Sequence, residues 1–239
     1  MARKLSPAAR HMMRIAAGQA AAAAAEANGH MEGATAYELQ LAQLHQHRLQ
    51  LKQVQSQEQK AELKRRILPD YAPYVEGVLT AGKGAQDEVL TTIMLWNFDA
   101  GDYAAGMHIG AYVVEHGLTM PDRFNRTAAC LIAEEPAELA LRALRAGDSF
   151  PVEPLLEALR ITHEQDMPDE ARAKLHLAIG TAQAHGINAD NLSEDNAGLL
   201  ESASEHLTRA IQLHDKCGGK KTLEGVNRLL KKYADSNNG

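Results

Sequence analysis

The residues here whose type and spacing could do chemistry are cationic. Arg3, Lys4, Arg10 and Arg14 all precede the first acidic residue, Glu26, and Arg48, Lys52, Lys60, Lys64, Arg65 and Arg66 follow on a Gln-rich stretch. Lys and Arg neutralise phosphates and release counterions, which gives affinity for a polyanion without base specificity. The balance along the chain sharpens this reading. Residues 1–68 hold 10 Lys/Arg against 5 Asp/Glu, residues 69–217 hold 10 against 24, and residues 218–239 hold 5 against 2. A cationic segment on an otherwise acidic chain is what DNA would select. Neither basic stretch has a helix-turn-helix spacing clear enough to name a recognition helix.

Catalytic signatures are missing by comparison. A nuclease needs carboxylates and a lysine presented together to hold Mg²⁺ and activate water, whereas Pro168-Asp169 leads only into the helical run Glu-Ala-Arg-Ala-Lys. The chain has 11 histidines, but none falls in His-Glu-x-x-His or in a Cys/His cluster with metal spacing. His45 and His47 fall on different sides of a helix. With neither a phosphate-binding Gly-x-x-x-x-Gly-Lys-Ser/Thr loop nor a Gly-x-Ser-x-Gly nucleophile turn, ATP hydrolysis would have to come from another protein. No catalytic residue, metal ligand or cofactor is therefore assigned; Mg²⁺ would enter only if the chain were itself a nuclease. Cys130 and Cys217 are too few for a disulfide framework and fit a reducing compartment.

The elements that must carry these residues are helical. Aromatics make up 4% and Ala, Leu, Glu, Gln and Arg dominate, so an all-α fold is expected. Ser6-Pro7 reads as an N-cap with proline at the first helical position. The alanines from Ala20 to Ala25 are weakly apolar and flanked by Gly18, Gln19 and Glu26, unlike a secretory signal. No run of 18 apolar residues exists, so no membrane span is expected. Thr35 and Glu38 form a capping-box pattern, and neither Gly nor Pro occurs from there to Leu68, which permits one helix about 50 Å long. Its partial heptad seam of Leu44, His47, Leu51, Val54, Glu58, Ala61, Arg65 and Leu68 suggests a coiled-coil contact, with Leu44, Leu51, Val54 and Leu68 between subunits. Packing along its own domain is the alternative.

After Pro69 come shorter helices. Ala100-Gly101-Asp102 recurs as Ala146-Gly147-Asp148, and Met120-Pro121-Asp122 as Met167-Pro168-Asp169, which suggests a duplicated, solenoid-like helical hairpin. Gly218-Gly219 then introduces a basic amphipathic helix with Leu223, Val226, Leu230 and Tyr233 in a row, suited first to docking in a partner's groove, with packing back on its own acidic body second and DNA or membrane contact third. Four segments result: a basic DNA-binding arm (1–33), an oligomerisation helix (34–68), an acidic helical domain (69–217) and a docking helix (218–239).

Four stretches carry a resemblance over the whole chain. They are Leu-Ser-Pro-Ala-Ala-Arg-His from residue 5, Leu-Lys-Arg-Arg-Ile-Leu-Pro-Asp-Tyr from 63, Met-Leu-Trp-Asn-Phe-Asp-Ala-Gly-Asp-Tyr from 94, and Ala-Ile-Gln-Leu-His-Asp-Lys-Cys-Gly from 210. Together the chain resembles the small terminase subunits of peduovirus-type tailed phages. The resemblance implies a homo-oligomer, a ring in such families, that binds the cohesive-end site of concatemeric viral DNA in the host-cell cytoplasm. It also implies a partner, the large ATPase subunit, which cuts and packages. Such subunits are often called the endonuclease subunit, and intrinsic cleavage is one alternative. A helical scaffold without DNA affinity is another.

Overall fold

The computed structural model describes residues 5–27, 29–121, 124–190 and 192–237. These form eleven α-helices and a short 3-10 turn at Leu68–Asp70, with no strand among the described residues, so the fold is all-α. The chain divides into two compact units, 1–128 and 129–239.

Unit 1 contains α1 (Pro7–Ala27), α2 (Thr35–Gln53), α3 (Gln57–Ile67), α4 (Ala72–Ala81), α5 (Glu88–Ala100) and α6 (Tyr103–Glu115). Helix α5 is apolar on all sides and buried along nearly its whole length, with α2, α3 and α6 against it. An all-round hydrophobic helix can exist only as the centre of a core. Its own Leu90, Met94 and Phe98, with Tyr71 and Tyr74, are fully buried in that core. Ser6 caps α1 as expected, its Oγ accepting from the Ala9 N–H at 3.2 Å.

Helix α1 lies on α4 at short range because both surfaces are small. Ala17, Ala21 and Ala24 are buried, and a Cβ on Gly77 would sit 2.2 Å from the Arg14 carbonyl oxygen. Gly77→Ala should therefore push α1 off α4, lowering stability by about 1–3 kcal/mol and raising protease cleavage within residues 7–27. Wild-type melting and proteolysis would show that the close approach is dispensable.

The helix expected over 35–68 is two helices. Val54 is extended (φ −90, ψ 126) and Ser56 caps α3 by accepting from the Gln59 N–H at 3.3 Å. A β-branched residue leaves the helix readily, and a serine two positions on offers α3 an N-cap. The capping box also differs: Thr35 is the first helical residue, and Glu38 accepts from the Gly33 N–H at 3.0 Å.

Unit 2 contains α7 (Ala128–Ala146, beginning at the boundary), α8 (Glu153–Thr162), α9 (Asp169–Ala184), α10 (Glu194–Leu213) and α11 (Lys220–Asn237). Helices α9 and α10 pack closely because Gly180 faces the Ala203 carbonyl and Leu207. Lys174 of α9 reaches Glu134 (3.0 Å) and Glu138 (2.6 Å) of α7. Helix α10 stops at Leu213, earlier than Gly218-Gly219 suggests, and the buried Gly219 packs on Leu177.

The recurring Ala-Gly-Asp triplets are helix stops. Gly101 donates to the Phe98 carbonyl and Asp102 to Asn97; Gly147 donates to Leu144 and Asp148 to Ala143. Both are Schellman motifs, which place a left-handed glycine just past the last turn. Gly117 and Leu118 repeat the bonding at the end of α6 with no such triplet. The pattern thus follows from helix termination in two separate units and needs no duplicated hairpin. Pro168-Asp169 starts α9, and Asp122 lies outside the described residues.

Candidate nucleic-acid interface

Taken by unit, the charge asymmetry looks different. Unit 1 holds 13 Lys/Arg against 13 Asp/Glu, and unit 2 holds 12 against 18. The 10 cations of residues 1–68 are thus folded into a unit that holds 13 acids. What matters is which of them those acids occupy.

Four are committed internally. Arg14 of α1 pairs with Glu76 of α4 at 2.8 Å. Arg48 of α2 pairs with Glu88 at 2.7 Å and donates to Thr92 Oγ1 at 2.9 Å, both on α5. Lys64 of α3 pairs with Asp99, and Arg65 bonds Glu62 and the Ala100 carbonyl, each at 2.9 Å. These contacts clamp α1, α2 and α3 to the α4–α5 core. Arg48→Gln should then cost stability, about 1–2 kcal/mol, and leave DNA affinity unchanged. A loss of affinity at full stability would place Arg48 on the ligand.

Arg10, Lys52, Lys60 and Arg66 have no ion pair among the described residues. Arg10, Lys52 and Arg66 are exposed and Lys60 is half-buried. Arg3 and Lys4 lie outside the described residues. The last turn of α3 gathers Lys64, Arg65 and Arg66, where positive charge also complements the helix dipole.

The other expected site residues fall as follows. Leu44 and Leu51 are 0% and 9% exposed, facing the chain's own core with His47, and Val54 and Leu68 are half-buried. The predicted subunit seam is therefore α2's inward face. The heptad pattern marked an apolar stripe correctly but not what covers it. Similarly, Val226 is buried and Leu223, Leu230 and Tyr233 half-buried on α11, which packs on α10.

Sequence reasoning missed two polar clusters, one buried and one half-buried. Asp87 is fully buried, accepting from Tyr74 Oη at 2.6 Å and from the Leu90 N–H at 2.8 Å. Burial pushes its carboxyl up to about 6, opposed by those hydrogen bonds. An Asp just before an apolar run is a helix N-cap signal, and α5 starts there. His176 and His206 meet with Nδ1 atoms 2.9 Å apart between α9 and α10. Nothing in the sequence links histidines 30 positions apart.

Among the described residues no group of three or more His, Cys, Asp or Glu converges as metal ligands would. A groove of about 1180 Å³ in unit 1 runs between α4 and α6 over α5; Glu76, Asp102 and Glu115 line it with Arg65 and His108. Its field disfavours a phosphate backbone. No helix is long and apolar enough to cross a membrane among the described residues.

The family model for the phage small terminase subunit matches residues 41–170. The chain is 44% identical to the "Terminase, endonuclease subunit" of Escherichia phage P2 over 226 residues, 95% of this chain and 86% of that protein. It is 26% identical to the "Probable terminase, endonuclease subunit" of Haemophilus phage HP1 (strain HP1c1) over 182 residues, 72% and 62% of the two chains. No solved structure matches. Helical composition, the match across both units and the near full-length likeness to the P2 protein lead to one conclusion: the chain belongs to the phage small terminase subunit family.

Proposed function

We propose that, within the genome-packaging role of this family, the chain grips duplex viral DNA and presents it to the large ATPase subunit. The grip is made by Arg3 and Lys4 at the N-terminus, Arg10 of α1, and Lys60 and Arg66 of α3. The observation that carries this reading is the division among the cations of α1, α2 and α3: Arg14, Arg48, Lys64 and Arg65 are taken by acids or carbonyls of the fold, whereas Arg10, Lys52, Lys60 and Arg66 have no ion pair among the described residues. Unpaired by their own chain, these side chains keep their charge available to a polyanion. Copies associate, so that modest grips combine into avidity, and α11 with its five Lys/Arg offers the surface for the large subunit.

The test is a binding titration on duplex DNA with Arg10, Lys60 and Arg66 changed together to Gln. Affinity should fall on the order of 100-fold at 0.1 M salt, with melting unchanged. Removing residues 1–33 is a poorer test, because Ala17, Ala21 and Ala24 are buried and unit 1 would lose part of its core. A second reading, intrinsic cleavage, is favoured by the name of the P2 relative. Magnesium-dependent nicking by the purified chain without the ATPase, abolished by one carboxylate substitution, would establish it.

A further inference from the structure

With Gln40, Leu44, His47 and Leu51 buried, α2 turns its opposite face outward. That face carries Leu39, Ala42, Gln46, Leu49 and Gln53, spaced three and four apart like the a and d positions of a heptad. All five are exposed, and Leu39 and Leu49 are 59% and 54% exposed, unusual for leucines on a helix otherwise anchored in a core. Two exposed leucines with Ala42 between them, at core-like spacing and separated only by neutral Gln46, mark an interaction surface.

Charge decides what covers it. With Leu39 at a, the flanking g positions are Glu38, His45 and Lys52. In an antiparallel pair of identical helices, g faces g. Leu39 then lies opposite Leu49 of the second copy, Ala42 opposite Gln46, and Glu38 beside Lys52, each contact made twice about a two-fold axis beside His45. Large meets small in the middle layers and acid meets base at both ends. A parallel pair would set Glu38 and His45 against Gln43 and Gln50 and leave Lys52 without a partner on α2, so that no opposite charges are matched.

We propose that α2 pairs antiparallel with α2 of a second copy, closing an isologous dimer. This deepens the homo-oligomer part of the function proposed above and rests on it. It gives Lys52, unpaired among the described residues of its own chain, a carboxylate partner. A helix of 19 residues is about 28 Å long, so the contact lies at the small end of interface sizes and predicts micromolar association on its own.

Sedimentation equilibrium of the full chain is the test. Leu39→Glu with Leu49→Glu should abolish dimers while melting stays at the wild-type temperature, since both side chains are exposed. Glu38→Lys and Lys52→Glu should each weaken association at least tenfold at low salt, and the two together should restore it, because the pair is rebuilt with reversed polarity. His45→Cys, with Cys217→Ser to remove the other accessible thiol, should form a symmetric disulfide. An oligomer that survives Leu39→Glu/Leu49→Glu, or a double charge swap that fails to rescue, overturns this interface and leaves self-association standing. A wild-type chain that is monomeric at hundreds of micromolar overturns both.

Discussion

Asp87→Ala should unfold unit 1 or nearly so, lowering its stability by about 3–5 kcal/mol. Two buried groups lose their acceptor at once, the Tyr74 hydroxyl and the Leu90 N–H, and α5 loses its N-cap in the middle of the core. Asp87→Asn keeps one acceptor and should cost less. The pH dependence has a definite sign. Burial raises the carboxyl from its ordinary value to about 6, so the folded state holds the proton more tightly than the unfolded chain. The contribution is fully present below about pH 4 and is lost as pH rises through 6, a change of about 3 kcal/mol. Chemical denaturation of wild type and Asp87→Asn between pH 4 and 7 checks this. Parallel profiles for the two proteins would contradict it.

Unit 2 should respond to acid in the opposite direction. Two neutral imidazoles can share a hydrogen bond between Nδ1 atoms 2.9 Å apart, one donating and one accepting. Two imidazolium rings there would point N–H at N–H. Burial, with the charge of His206 next in importance, pushes His176 down to about 4, and burial also lowers His206. A histidine depressed in the folded state contributes nothing to pH dependence above about 6.5, and stability is lost as pH falls from there toward 4. From His176 alone the loss by pH 5 is on the order of 1 kcal/mol once solvent screening of a half-buried ring is allowed for. Calorimetry at pH 7 and pH 5 should show unit 2 melting earlier at the lower pH. Leucine at both positions should remove the acid sensitivity of unit 2. Equal shifts in both units would refute a role for the pair.

Local signals in the sequence held where the local energetics are strong. Ser6-Pro7 caps α1, the Leu68-Pro69 boundary ends α3, and Pro168-Asp169 opens α9, because caps and prolines act within a turn. The break at Val54–Ser56 was harder to read, since one β-branched residue and one serine are individually compatible with helix. The heptad seam identified a real apolar stripe, but which of two faces meets the core is a tertiary fact: Leu44 and Leu51 went inward and Leu39 and Leu49 outward. The cations show the same limit. Their acids lie 62 residues away for Arg14, 40 for Arg48 and 35 for Lys64, so nothing in a linear charge count separates committed from available side chains.

That separation is the centre of the functional reading, and salt dependence measures it. For wild type and for the Arg10→Gln/Lys60→Gln/Arg66→Gln variant, log Kobs for duplex DNA is plotted against log salt concentration. Each lost phosphate contact should flatten the slope by about 0.9, so the variant should be shallower by between two and three. The Arg14→Gln and Lys64→Gln variants, compared while still folded, should keep the wild-type slope. An unchanged slope for the triple variant, or a flattening that appears instead with Arg14→Gln and Lys64→Gln, would contradict the account.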